Sequence, residues 1–185
     1  MSLTFSLAHL MGGIILLCGF LQLSQRRLAA MITLYQSEAL VLSAAALWQG
    51  FAQHELALYL TGLITFALKG VLLPWGLREI VQRFGMIRAV ETALPMAVSM
   101  ILGLALIGIA VLVVLPSTEA SLSLTREDLA IALSVVLLGL LLMIVRRNAL
   151  AQIIGFLSME NGLVLAAIGM PVVSYTHLRA HETVL

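Results

Sequence analysis

One cysteine, Cys18, stands among the 185 residues, which excludes an intrachain disulfide, a CxxC pair, a cysteine-ligated cluster and a cysteine-held nickel site. Cys18 itself reads as a small apolar core residue. Charge is equally scarce. At 10% charged and 62% hydrophobic, the chain lies far outside the range of an ordinary soluble domain. The net charge of +1 says little, because the placement of charge in such a chain matters more than its sum. Alternating polarity, which a membrane β-barrel needs, is missing; the apolar runs are continuous for roughly 17 residues or more, the signal of a spanning helix. No basic stretch precedes the first run, and that run is long enough to span, so no cleavable signal peptide is expected. The connecting segments leave no room for a soluble domain. The expected fold is therefore all-α, a polytopic membrane helical bundle forming one domain over 1–173.

Six spans can be placed, at about 3–23, 28–50, 56–76, 94–115, 129–145 and 149–170. When they alternate across a bilayer, Arg26, Arg27, Arg78, Arg83, Arg88, Arg146 and Arg147 fall on one side, and the opposite loops carry Arg126 alone. The arginine-rich side is expected to be cytoplasmic, which puts the N-terminus outside. Pro95 suits a first helical turn, Pro116 follows the end of the fourth span, and Thr125 with Asp128 makes a capping-box signature for the fifth. Pro74 differs because it lies inside the third span, where it leaves the Gly70 carbonyl without its helical donor next to Lys69. Such a weakened helix beside a buried ion recurs in transporters, although proline kinks without that role are as common. The tail 174–185, SYTHLRAHETVL, is polar and unlike what precedes it. It is expected to be a non-native scar, with the true sequence missing after Val173; His177 and His181 within it do not make a metal site.

Three ionisable residues inside these spans are the candidate functional groups: Glu38, Lys69 and Glu160. A charge at a helix centre costs on the order of 2.5 to 3.5 kcal/mol on an insertion scale, so such a residue usually has a partner and a purpose. At about 1.5 Å of rise per residue, all three lie within roughly 8 Å of one another in depth, near the midplane. That spacing suits a lateral row of sites better than a wire across the membrane. On the last span Gly155, Ser158, Gly162, Ala166 and Gly169 form a small-residue stripe that admits a close helix, and Glu160 points away from it toward some other protein surface. On the third span Gly62, Thr65, Lys69 and Gly76 share a face. The second and sixth spans echo each other, with LVLSAA after Glu38 and LVLAAI after Glu160. Less eventful readings stand beside these. Glu38 and Lys69 could be a structural ion pair, Glu160 a hydrogen-bonded core acid, and His9 an interfacial residue; His54 and Glu55 suit a solvated loop. Tyr35, one turn before Glu38, could hydrogen-bond it or pack.

Arg147, Asn148, Gln152, Ile153, Gly155, Phe156, Met159, Glu160, Asn161 and Gly162, within RRNALAQIIGFLSMENG, resemble the signature of the component E (HyfE-like) membrane subunit of formate hydrogenlyase and related group 4 nickel-iron hydrogenases. The stretches Tyr35-Gln36-Ser37 and Leu68-Lys69-Gly70-Val71-Leu72-Leu73-Pro74 resemble that subunit too, and the likeness runs from about residue 10 to residue 173. That family is related to NuoK of respiratory complex I and MrpC of cation antiporters. The membrane glutamate of NuoK-like proteins aligns with Leu157, so Glu160 is displaced by one helical turn on the same face. The resemblance implies a non-catalytic subunit coupling redox chemistry elsewhere to proton or sodium movement, in which Glu160 and Glu38 are relay carboxylates and Lys69 sets their charge states. Asn161, Tyr35, Gly70 and Pro74 would support them. It implies no cofactor or metal in this chain, other membrane subunits and the lipid bilayer as partners, no nucleic acid, and a seventh helix that is absent here. Two alternatives remain: a subunit of a cation/proton antiporter, and a structural membrane anchor.

Overall fold

The computed structural model describes residues 3–85, 90–117 and 123–169, with side chains described over 7–85, 90–114 and 127–169. Six helices account for the chain's spans: α1 (Leu3–Ser24), α2 (Leu28–Gln53), α3 (Leu56–Arg83), α4 (Met96–Ser117), α5 (Ser123–Val145) and α6 (Ala149–Gly169). Each is long and apolar enough to cross a membrane, with mean hydropathies between 1.3 and 2.8. Helices satisfy their own backbone groups, as hydrocarbon requires. The protein is a multi-pass, all-α membrane protein. The expected non-native tail over 174–185 and Arg88 lie outside the described residues, as do the side chains of Pro116, Thr125 and Arg126.

Helices α1, α2, α5 and α6 form the centre, with α1 against α2 and α5, and α6 against α5 and α2. Helix α3 flanks α2 on one edge, while α4 covers α5 and α1 on the other. The outward faces of these flanking helices are apolar, as at Leu63, Ile64 and Trp75 on α3 and Ile101, Leu104 and Leu112 on α4, which suits contact with lipid tails. Helices α5 and α6 approach closely because glycines face each other. A Cβ on Gly139 would lie 2.5 Å from the Met159 backbone nitrogen, and one on Gly162 would lie 2.8 Å from that of Val136. The small-residue stripe is thus buried against α5.

Three expectations need correcting. Helix α5 begins at Ser123, so Thr125 lies inside the first turn rather than capping it, and Asp128 serves instead as a partner of His9. Helix α3 continues past the expected end at Gly76 to Arg83, its final stretch burying Leu77 and Val81. It is also not uniform: α-helical over Leu56–Thr65, it widens to a π-helix over Phe66–Leu72 and resumes over Leu73–Arg83. The widening follows from Pro74, which has no N–H to give Gly70, and the Leu73 N–H reaches five residues back to Leu68. This inserted residue shifts the face counted at α-helical spacing. Gly62 packs against Leu47, whereas no atom of the described residues lies within 4 Å of a Cβ built on Gly76.

At one end of the bundle the segment after α3 ties the turns together. The Val90 N–H donates to Arg26 O at 2.7 Å, the Ala93 N–H to Val145 O at 2.7 Å, and the Arg147 N–H to Glu91 O at 3.2 Å. Arg146, 1% exposed, sends Nη2 to the carbonyls of Gln22 and Leu23 at 3.2 and 2.8 Å, capping the last turn of α1. Its Nε and Nη1 have no partner among the described residues. Burial, with the Arg26 guanidinium nearby, holds the Arg146 guanidinium below its ordinary pKa.

Candidate functional site: a midplane polar row

The core is divided into two apolar layers. One, with Leu23, Met31, Tyr35, Leu138 and Ile154, lies toward the arginine-rich end; the other, with Ile15, Leu42, Val135 and Ile168, lies toward the opposite end. Glu38 sits between them on α2, one turn from Tyr35 and one from Leu42, and is 0% exposed. A carboxylate stripped of water at this depth needs donors, and three side chains provide them. Gln22 Nε2 of α1 donates to Oε2 at 2.7 Å; Ser158 Oγ of α6 lies 2.9 and 2.8 Å from the two oxygens; Asn161 Nδ2, one turn further along α6, donates at 3.4 Å.

Asn161 carries the row outward. Its Oδ1 accepts from Lys69 Nζ of α3 at 3.1 Å, and Lys69 Nζ lies 3.3 Å from Glu160 Oε2. The Lys69 side chain is 12% exposed and that of Glu160 44%. Glu160 therefore opens into a groove of about 370 Å³ between α3 and α6, lined by Thr61, Ile64, Thr65, Leu68 and Val164. The row Glu38, Asn161, Lys69, Glu160 leads sideways, from a sealed interior to the flank of the bundle. The polar contacts of Glu38 also include Gln22 of α1, whose backbone carbonyl accepts from Arg146.

Each candidate is thereby located. Lys69 forms its ion pair with Glu160 instead of the structural pair with Glu38 considered from the sequence, because Asn161 stands between Lys69 and Glu38. Glu160 is half exposed at a groove, which replaces the picture of a core acid. Asn161, expected only in a supporting role, is the link between the two acids. Tyr35 is wholly buried and its hydroxyl has no partner among the described residues, so it packs against the apolar layer without bonding Glu38. Gly70 and Pro74 act through the π-helix. His9 stands apart from the row: its Nε2 lies 2.8 Å from Glu127 Oε2 and its Nδ1 2.9 Å from Asp128 Oδ1. His54 ends α2 in the left-handed region with φ 55°, exposed in the turn with Glu55. Cys18 is buried and free.

Sequence reading misses Gln22, Gln36 and Arg78. The signal is there, since Gln22 and Gln36 are polar side chains inside spanning helices, yet an uncharged amide is cheaper at that depth than a charge and stands out less. Ser158 belongs to the packing stripe, and it also binds Glu38.

No family model matches the chain, and no solved structure matches it. The chain is 30% identical over 159 residues to the uncharacterized protein Rv0085 of Mycobacterium tuberculosis, an alignment covering 84% of this chain and 71% of that protein. The chain therefore belongs to the same family as Rv0085.

Proposed function

We propose that this chain is a non-catalytic membrane subunit of a redox-driven complex of the hydrogenase or formate hydrogenlyase type, where it contributes to proton or sodium translocation. The reading joins the resemblance to component E subunits with one observation: the continuous row from buried Glu38 through Asn161 and Lys69 to half-exposed Glu160. Midplane acids paired with a lysine are costly in hydrocarbon and mark ion pathways. The direction of the row matters. A route that leaves the bundle sideways needs a second membrane subunit to continue it, and the groove at Glu160 is where that subunit would sit. The membrane is the prokaryotic inner membrane, the N-terminus lies outside, and the arginine-rich loops face the cytoplasm.

Glu160→Gln in the intact complex tests this. Oxidation of the electron donor by the peripheral arm stays near the wild-type rate, while coupled ion movement falls about a hundredfold, the size of a lost proton-transfer group. Unchanged pumping refutes the proposal. An antiporter subunit uses the same row without electron transfer, and a structural anchor survives replacement of Glu38, Lys69 and Glu160 together by apolar residues.

A further inference from the structure

Gly70 O, four residues before Pro74, accepts from a side chain of the neighbouring helix. Gln36 Nε2 of α2 donates to Gly70 O at 3.0 Å, and Arg78 Nη2 of α3 donates to Gln36 Oε1 at 2.7 Å. A guanidinium can only donate, so Arg78 must take the amide oxygen, which turns the amide nitrogen toward Gly70. The side chain is fixed at both ends. Gly70 lies in the π-helical stretch next to Lys69, so the helix that presents Lys69 is fastened to α2 at the neighbouring residue. Lys69 in turn reaches across to Asn161 and Glu160 on α6.

We propose that Gln36 is a positioning residue for Lys69. By taking up Gly70 O it holds the π-helical register in which the ammonium meets Asn161 and Glu160, and Arg78 orients the amide for that task. Without this donor the tether between α2 and the π-helical stretch is lost, and the stretch is free to shift register, which carries Lys69 off its partners. The functional weight of this positioning rests on the reading of Lys69 as a relay member; the geometry does not.

The test uses the full chain in membranes, treated with a lipid-soluble carbodiimide, with modification at Glu160 measured by peptide mass spectrometry. Gln36→Glu keeps the size of the side chain and an acceptor for Arg78 but brings Gly70 no amide donor. Modification of Glu160 is expected to rise about fivefold, the ratio corresponding to about 1 kcal/mol, and to match Lys69→Met. Pro74→Ala supplies the N–H that lets the stretch take α-helical register, in which it meets Gly70 O, so labelling rises with that change alone and Gln36→Glu adds nothing in that background. Wild-type labelling in Gln36→Glu, or an equal effect in both backgrounds, overturns the proposal. Raised labelling with unchanged pumping in Glu160→Gln would instead leave the positioning role standing and remove the relay.

Discussion

Ser158 Oγ of α6 lies 2.8 and 2.9 Å from the two carboxylate oxygens of Glu38 on α2, which places one hydroxyl astride the buried acid. Gln22 and Asn161 approach the same group, so donors from two helices, α1 and α6, converge on one side chain of a third. The stability of the bundle is therefore sensitive to what occupies position 38.

Glu38→Leu leaves three buried side chains short of their acceptor, at about 1 to 3 kcal/mol for each group that cannot re-pair. Glu38→Gln keeps one oxygen and most of the shape, and costs about 1 to 2 kcal/mol. Thermal unfolding in detergent should rank wild type above Glu38→Gln and Glu38→Leu last. A leucine variant as stable as the glutamine variant would show that the donors find other partners.

Arg146 presents a balance of opposed effects. Its burial with Nε and Nη1 unpartnered among the described residues is unfavourable, while its Nη2 closes the end of α1 and satisfies Leu23 O. The second effect should win, because removing the side chain leaves a buried carbonyl unpaired. Arg146→Met is expected to lower stability by about 1 to 3 kcal/mol, and Arg146→Lys to recover part of the loss. An increase in stability in the methionine variant would show that desolvation of the guanidinium dominates.

The α5 to α6 contact sets a steric prediction. In Gly162→Ala the new methyl would fall 2.8 Å from Val136 N, so the helices must part, costing about 1 to 3 kcal/mol. Gly13→Ala, with nothing within 4 Å of the added carbon, should be neutral or slightly stabilising. Paired unfolding measurements on the two variants separate packing from helix propensity.

The spans are legible because hydrophobic length is written directly into the chain, and residue counting puts Glu38, Lys69 and Glu160 at a similar level along their helices. Their pairings are not. Depth says nothing of azimuth, and a single inserted residue in the π-helix rotates every residue beyond it, so α-helical counting puts Gly76 on a contact face that it does not share. Pro74 announces a freed carbonyl but cannot announce which amide will answer it; Gln36 lies 34 residues away in sequence. The lengthened end of α3 escapes for a different reason. Its arginines and glutamate look like a loop until Leu77 and Val81 are seen packing inward.

The ties between Val90 and Arg26, Ala93 and Val145, and Arg147 and Glu91 have a mechanical effect. They clamp two helical hairpins at one rim, as the pivot of a pair of tweezers joins its arms. Any spreading of those hairpins must then be widest at the far rim, where His9 meets Glu127 and Asp128.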